Sequence, residues 1–319
     1  MMRVNKKVRI LGIIIMAVAV VFLVYRFLSF DFDFSELFTA EIWPGLLLVT
    51  ACVMATLLLG SFGWTIWLSF FSKSKVRLMP TYSVYVKSNL AKYLPGNVGH
   101  YAMRQLYGTS LGIKQRELLF SSVLEICCMA LTALILSLIL ARDVFFMFMH
   151  DAFERTWLLP VIIIAIAALV AGGIIFMRRK NISFSEIFAY LRQKAFRYSL
   201  IAVIGLIVCN LLIYGATLLL LFTTIGNVSG VNGLLIISAG IVSWLIGFIT
   251  PGVPGGIGVR EAVMLLMLSP FIAEEIVLYV AVVQRLAFIF SDVISWGIGK
   301  ALERPHPGSD SNAVESKND

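Results

Sequence analysis

Apolar residues fall in long unbroken blocks along this chain rather than in a one-sided stripe. Blocks lie at about residues 8–28, 43–71, 117–141, 157–177, 198–222 and 276–299. Each is long enough for a helix of about 20 residues to cross a hydrocarbon core of about 30 Å. A helix that is apolar all round meets no water on any face. Two shorter apolar stretches, at about 232–250 and 259–268, flank a segment rich in proline and glycine. The pattern predicts an all-α fold, a polytopic helical membrane bundle of about six to eight spans.

Composition agrees. The chain is 60% hydrophobic and only 14% charged, against about 25% charged in an ordinary soluble domain. The start, "MMRVNKKVRILGIIIMAVAVVFLVYRF", has the basic-then-apolar order of a signal peptide. Its apolar run exceeds the usual h-region of about 7–15 residues and no A-x-A-like cleavage site follows, so it reads as a retained first span.

The net charge of +8 is concentrated in short loops. This is the positive-inside pattern of membrane proteins and reports orientation, so no nucleic-acid partner is expected. Arg3, Lys6, Lys7 and Arg9 place the N-terminus in the cytoplasm, and the acidic "DFDFSELFTAE" reads as outside. Lys73, Lys75 and Arg77 return the chain inside, and residues 80–116 carry five more basic residues. "MRRKNISFSEIFAYLRQKAFR" is again inside, and the last span ends at Lys300 and Arg304. A polar tail, 301–319, is expected to be disordered and cytoplasmic.

Read this way, residues 1–300 form one membrane domain with halves at about 1–150 and 151–300. Each half has two spans, a broken hairpin and a further span, in opposite orientations, which is an inverted repeat. An alternative makes 232–250 a full crossing and 259–269 a short return helix; both leave the C-terminus inside.

The two breaks agree when aligned on their prolines. Pro95-Gly96-Asn97-Val98-Gly99 and Pro254-Gly255-Gly256-Ile257-Gly258 are both P-G-x-x-G, and Arg104 and Arg260 follow them. Proline removes a backbone donor and ends a helix, and glycine allows a close backbone approach. Unwound backbone at membrane depth survives only inside protein or beside a water-filled cavity. Transporters use paired broken helices in this way, with half-helix N-termini facing anionic groups. Helices beginning at Gly99 and Gly258 are therefore expected to aim free N–H groups into the breaks, with the arginines able to clamp a phosphate.

Ionisable residues within spans cost several kcal/mol and usually have partners. Glu125 lies inside one span, and Arg285 and Asp292 lie seven residues apart in the last. The expected pairs are Glu125 with Arg260 or Arg285, and Arg285 with Asp292. Asn210 and Gln284 are expected to hydrogen-bond between helices. Cys52, Cys127, Cys128 and Cys209 sit in apolar runs as small hydrophobes. His100, His150 and His306 are scattered, so neither a metal site nor a cofactor is expected.

"NLAKYLPGNVGHYAMR", "SSVLEI", "PGVPGGIGVREAVMLLML" and "VVQRLAFIFSDVISWGIGK" resemble the membrane region of lysylphosphatidylglycerol synthases and its stand-alone relatives. The resemblance covers about residues 8–300. It departs at Ile126, where the family usually carries an arginine directly after the membrane glutamate. In full-length synthases this region resembles a flippase, and a separate soluble domain makes the aminoacylated lipid. The chain runs only about twenty residues past the last span. The resemblance therefore implies the transport half without the transferase, and the chain is not expected to be an enzyme.

The leading expectation is a translocase moving an anionic or aminoacylated phospholipid, or a polyprenyl-phosphate-linked lipid, between leaflets of the cytoplasmic membrane. Its head group would contact Arg104, Arg260, Arg285, Glu125 and Glu261, cradled by Pro95, Gly96, Gly99, Pro254, Gly255, Gly256 and Gly258. A second reading is an accessory or transferase subunit in lipid-linked sugar or aminoacyl-lipid synthesis. Partners would be the lipid itself, a lipid-modifying synthase or glycosyltransferase, or a second copy of the chain.

Overall fold

The computed structural model describes residues 42–93, 99–140, 190, 192–226, 228, 230–250 and 253–302. The spans expected at 8–28 and 157–177, Pro95 and Gly96 of the first break, and the tail beyond residue 302 lie outside these residues. Among the described residues all regular structure is helical.

The chain enters the described region as α1 (Ile42–Ser72), then α2 (Leu78–Asn89), which tightens into a 3-10 turn at Leu90–Tyr93. After the first break come α3 (Gly99–Gly108) and α4 (Gln115–Leu140). The second series runs α5 (Lys194–Thr224), α6 (Gly233–Ile249), a 3-10 turn at Pro254–Gly256, α7 (Val259–Leu268) and α8 (Glu274–Ala301). The order long helix, shorter helix, break, short helix, long helix therefore occurs twice.

The helices α1, α4, α5 and α8 are apolar and 26 to 31 residues long, or about 39–47 Å at 1.5 Å per residue. Each is long enough to cross a membrane, and the chain is a multi-pass helical membrane protein. α6, with 17 residues, reaches only about 26 Å.

The long helices bury a stripe against their neighbours and present apolar side chains on the opposite face. On α1, Leu46, Val49, Val53, Trp64, Trp67 and Leu68 are buried, while Leu47, Leu48, Leu58 and Phe62 are exposed. On α4 the exposed side includes Leu131, Leu134, Ile135, Leu138 and Ile139. Exposed leucine and isoleucine along a whole helix face suit hydrocarbon rather than water.

α1 packs along α5, α8 lies against α1, α2, α5 and α7, and α6 is held by α5, α4 and α7. Several buried hydroxyls inside these apolar helices are satisfied locally, whereas those of Ser137, Ser291 and Ser295 have no partner among the described residues. Thr50, Thr65, Thr217, Ser238 and Ser243 each donate to a carbonyl three or four residues back. Between helices, Asn210 Nδ2 on α5 donates to Thr56 O on α1 at 2.8 Å. Gln284 Nε2 on α8 reaches Thr217 Oγ1 on α5 at 3.5 Å. Both are the interhelical role expected of them.

The second break has clear local causes. α6 starts at Asn232, whose side chain accepts from Leu234 N–H at 2.9 Å. It ends at Thr250, which is extended (φ −65°, ψ 115°) because it precedes Pro251. Gly255, Gly256 and Gly258 then take φ of 58°, 72° and 86°. Only glycine enters that left-handed region at no steric cost, which explains the P-G-G-x-G spelling.

Candidate functional site

The two breaks meet. The Leu90–Tyr93 turn of the first packs on the Pro254–Gly256 turn of the second. A side chain at Gly255 would lie 3.9 Å from Tyr93 Cε1 and 3.8 Å from Arg285 Nη1. Gly99 is equally confined, because a Cβ there would sit 2.5 Å from the Ala91 carbonyl oxygen. The start of α3 is thus folded tightly back on the turn before it.

α8 supplies the post to which both breaks are tied. Arg285 Nε donates to Glu261 Oε1 at 2.6 Å, and its Nη1 donates to Gly255 O at 3.0 Å. The other oxygen of Glu261 accepts Gly258 N–H at 2.7 Å. One carboxylate thereby caps α7, where the helix dipole favours an anion, and pairs with α8. The expectation that the Gly258 N–H is free for a ligand is corrected: Glu261 already holds it.

Further along α8, Asp292 is buried to 2% exposure. It accepts from Asn89 Nδ2 at 2.8 Å and Tyr93 Oη at 2.5 Å, and pairs with Lys92 Nζ at 2.6 Å. The sequence pairing of Arg285 with Asp292 is therefore also corrected. Seven residues along one helix is about 10 Å, and each side chain faces a different neighbouring element.

Arg260 has no such partner. Among the described residues no carboxylate lies within ion-pair distance of it. Its guanidinium sits 6.0 Å from the Trp244 ring, beside the Tyr214 phenol. Its stem fills the space left by two glycines. A Cβ on Gly247 would approach Arg260 Cγ to 2.5 Å, and one on Gly256 would approach Nε to 2.7 Å. Arg260 Nε and Arg285 Nη2 are both buried without a hydrogen-bond partner. Lys92, Arg260 and Arg285 lie close enough to repel one another. Three cations against the two carboxylates Glu261 and Asp292 leave one positive charge in excess at the junction.

The remaining charged pair lies elsewhere. Arg104 on α3, 2% exposed, donates from Nη1 to Glu125 Oε2 on α4 at 2.7 Å. The expected partners of Glu125, Arg260 and Arg285, are not the observed one. α3 and α4 are consecutive and packed together, so the nearer arginine reaches it. Tyr85, Trp64 and Tyr101 surround the Arg104 guanidinium at 3.8, 5.3 and 5.3 Å, and Tyr85 Oη is 3.4 Å from Glu125 Oε1. A small cavity lined by Gly60, Gly63, Trp64, Val203 and Asn210 opens beside Glu125. Glu125 is followed by Ile126, and its arginine partner comes from α3.

The geometry brings Arg260, Arg285, Glu261, Gly255, Gly256 and Gly258 together and leaves Arg104 and Glu125 in their own cluster. Sequence reasoning overlooked Lys92, Tyr93 and Asn89. Their signal was position: all three immediately precede the first P-G break in "SNLAKYLPG".

The two series also carry the same kind of pair with reversed sign. In the first, the short helix α3 bears the arginine and α4 the glutamate. In the second, the short helix α7 bears the glutamate and α8 the arginine.

No curated protein and no solved structure matches this chain. The family model described as the lysylphosphatidylglycerol synthase TM region matches residues 9–294, a stretch that includes both breaks and all three ion pairs. The chain belongs to the lysylphosphatidylglycerol synthase transmembrane-region family.

Proposed function

We propose that the protein is a lipid translocase of the cytoplasmic membrane, with both termini cytoplasmic. Its cargo is an anionic or aminoacylated phospholipid, or a polyprenyl-phosphate-linked lipid. The observation that carries this reading is the orphaned arginine chemistry where the breaks meet. Among the described residues Arg260 has no carboxylate partner, and two buried guanidinium N–H groups, Arg260 Nε and Arg285 Nη2, have no acceptor. Buried donors ordinarily find acceptors, and a phosphate would supply several oxygens at once.

Paired broken helices are the usual place for a transport site, and the membrane-lipid character of the family agrees with such a cargo. In this reading Arg260 and Arg285 contact the phosphate. Glu261 positions Arg285, and the positive-φ glycines let the head group approach the backbone. Arg104 and Glu125 brace the first break from outside the contact.

The test is reconstitution of the full chain into vesicles containing fluorescent phosphatidylglycerol. Bleaching of the outer leaflet by a membrane-impermeant reductant reads translocation. Wild type is expected to expose inner-leaflet probe faster than protein-free vesicles, and Arg260→Ala is expected to return the rate close to theirs. Equal rates for wild type and empty vesicles, across anionic and polyprenyl-phosphate probes, would reject the reading.

A further inference from the structure

Of the three ion pairs described above, two lie within a single series of helices: Arg104–Glu125 joins α3 to α4, and Glu261–Arg285 joins α7 to α8. Lys92–Asp292 is different, because it ties the first break to α8 of the second series. A motion of the first break away from α8 would have to open it together with the Asn89 and Tyr93 bonds to the same carboxylate, while the other two pairs lie off that contact.

Its chemistry suits opening. Lysine offers a compact ammonium on a flexible stem, whereas arginine holds a rigid planar fork. The Lys92 side chain is 19% exposed, far more than that of Arg104. Its ammonium lies between the rings of Tyr93 and Phe288, at 5.2 and 5.9 Å, and is not enclosed in a cage. When Lys92 leaves, Asp292 keeps two neutral donors, Asn89 Nδ2 and Tyr93 Oη. Glu125 without Arg104 would keep only the long contact to Tyr85. The carboxylate of Asp292 is thus prepared to lose its cation.

The turn bearing Lys92 packs on the Pro254–Gly256 turn, where Arg285 holds Gly255 O and Arg260 abuts Gly256, and these are two arginines with unused donors. We infer that Lys92 is an exchanging phosphate ligand: it leaves Asp292 for the phosphate of the bound lipid and so opens the Lys92–Asp292 latch, the charged one of the three contacts that tie the first break to α8, while Asn89 and Tyr93 stay on the carboxylate. This rests on the translocase reading and adds to it a third cation, a competitor carboxylate and a moving contact. In the structure described here the latch is closed, with Asp292 occupying the place on Lys92 that phosphate would take.

The competition is testable on the full-length protein in detergent. Retention of phosphatidylglycerol is read by native mass spectrometry and stability by thermal unfolding. Asp292→Asn keeps the shape, with its amide oxygen accepting from Asn89 and its amide nitrogen able to donate to Tyr93 Oη, while freeing Lys92. It is expected to retain phosphatidylglycerol about tenfold more tightly, the value of one charge-assisted contact. Lys92→Met is expected to bind about tenfold more weakly. The exchange Lys92→Asp with Asp292→Lys is expected to recover the wild-type melting temperature but not lipid retention.

Weaker retention in Asp292→Asn, or recovery of both stability and retention in the exchanged pair, overturns the latch and leaves a purely structural ion pair. Inorganic phosphate that stabilises wild type as much as phosphatidylglycerol does overturns the lipid as its trigger. A latch failure leaves the Arg260→Ala result standing. Failure of the translocase reading appears instead in the wild type, as absence of lipid movement.

Discussion

At the scale of single residues, the membrane sorts charges into those that are satisfied and those that are not. Arg104 and Glu125 balance each other's charge among three aromatic rings, although Arg104 Nε is left without an acceptor. Removing one member of a buried pair strands the other, at a cost of about 3–5 kcal/mol. Glu125→Ala is therefore expected to lower the melting temperature sharply in detergent. Adding Arg104→Met should recover much of the loss, since no buried charge then remains unpaired; a double variant no more stable than the single one argues against the pairing. Arg260 is the opposite case. Arg260→Ala removes a charge that no carboxylate among the described residues balances, so lipid movement is expected to fall, with a loss of melting temperature no larger than the packing of its stem against Gly247 and Gly256 accounts for. Sequence could name Glu125 and Arg285 as functional candidates because charge inside an apolar run is conspicuous, and Arg104 and Arg260 because each follows a P-G-x-x-G break. It could not pair them, because pairing depends on which helices become neighbours, and Glu125 found Arg104 on the helix just before it.

At the scale of elements, the long helices were legible because an apolar block of membrane length has few alternatives. The expected spans at 43–71, 117–141, 198–222 and 276–299 match α1, α4, α5 and α8 to within a few residues. The second break was legible through its glycines, three of which adopt positive φ. What sequence missed is how the break is closed. Glu261 caps α7 and clamps Arg285 at the same time, a double use that depends on α7 and α8 packing side by side. Glu261→Gln keeps a carbonyl to accept from Gly258 but loses the charge on Arg285. It is expected to reduce lipid movement more than stability, as seen by comparing vesicle rates with thermal unfolding. Gly256→Ala faces two obstacles: a left-handed backbone costing about 1–2 kcal/mol for a non-glycine residue, and a Cβ 2.7 Å from Arg260 Nε. The expected result is displacement of Arg260 and a fall in translocation approaching that of Arg260→Ala. Wild-type translocation in Gly256→Ala would show that Arg260 need not sit where it does.

At the scale of the whole molecule, the described helices form one bundle whose outer surface is apolar along α1, α4, α5 and α8 and whose three described ion pairs lie inside. Single cysteines at Leu134 or Ile135 on the exposed face of α4, carrying spin labels, are expected to show high oxygen and low aqueous-reagent accessibility. Labels at Lys73 or Lys75 should show the reverse, and similar values at both places would contradict the bilayer position of α4. The twofold use of one element order was visible in the sequence as two P-G-x-x-G breaks. The meeting of those breaks around α8 was not, since it joins residues about two hundred positions apart.

The reversed sign of the two intra-series pairs bears on how such a molecule could be assembled. If one series were duplicated and dimerised with itself, both short helices would carry arginine and both long helices glutamate. Each pair would close, yet the assembly would have no α8 bearing Arg285 and Asp292 to receive two different breaks. A shared post with a surplus cation on one side and a detachable carboxylate on the other requires two unlike halves. Asymmetry between the halves is thus what makes a junction, and joining them in one polypeptide keeps the unlike partners in strict one-to-one supply.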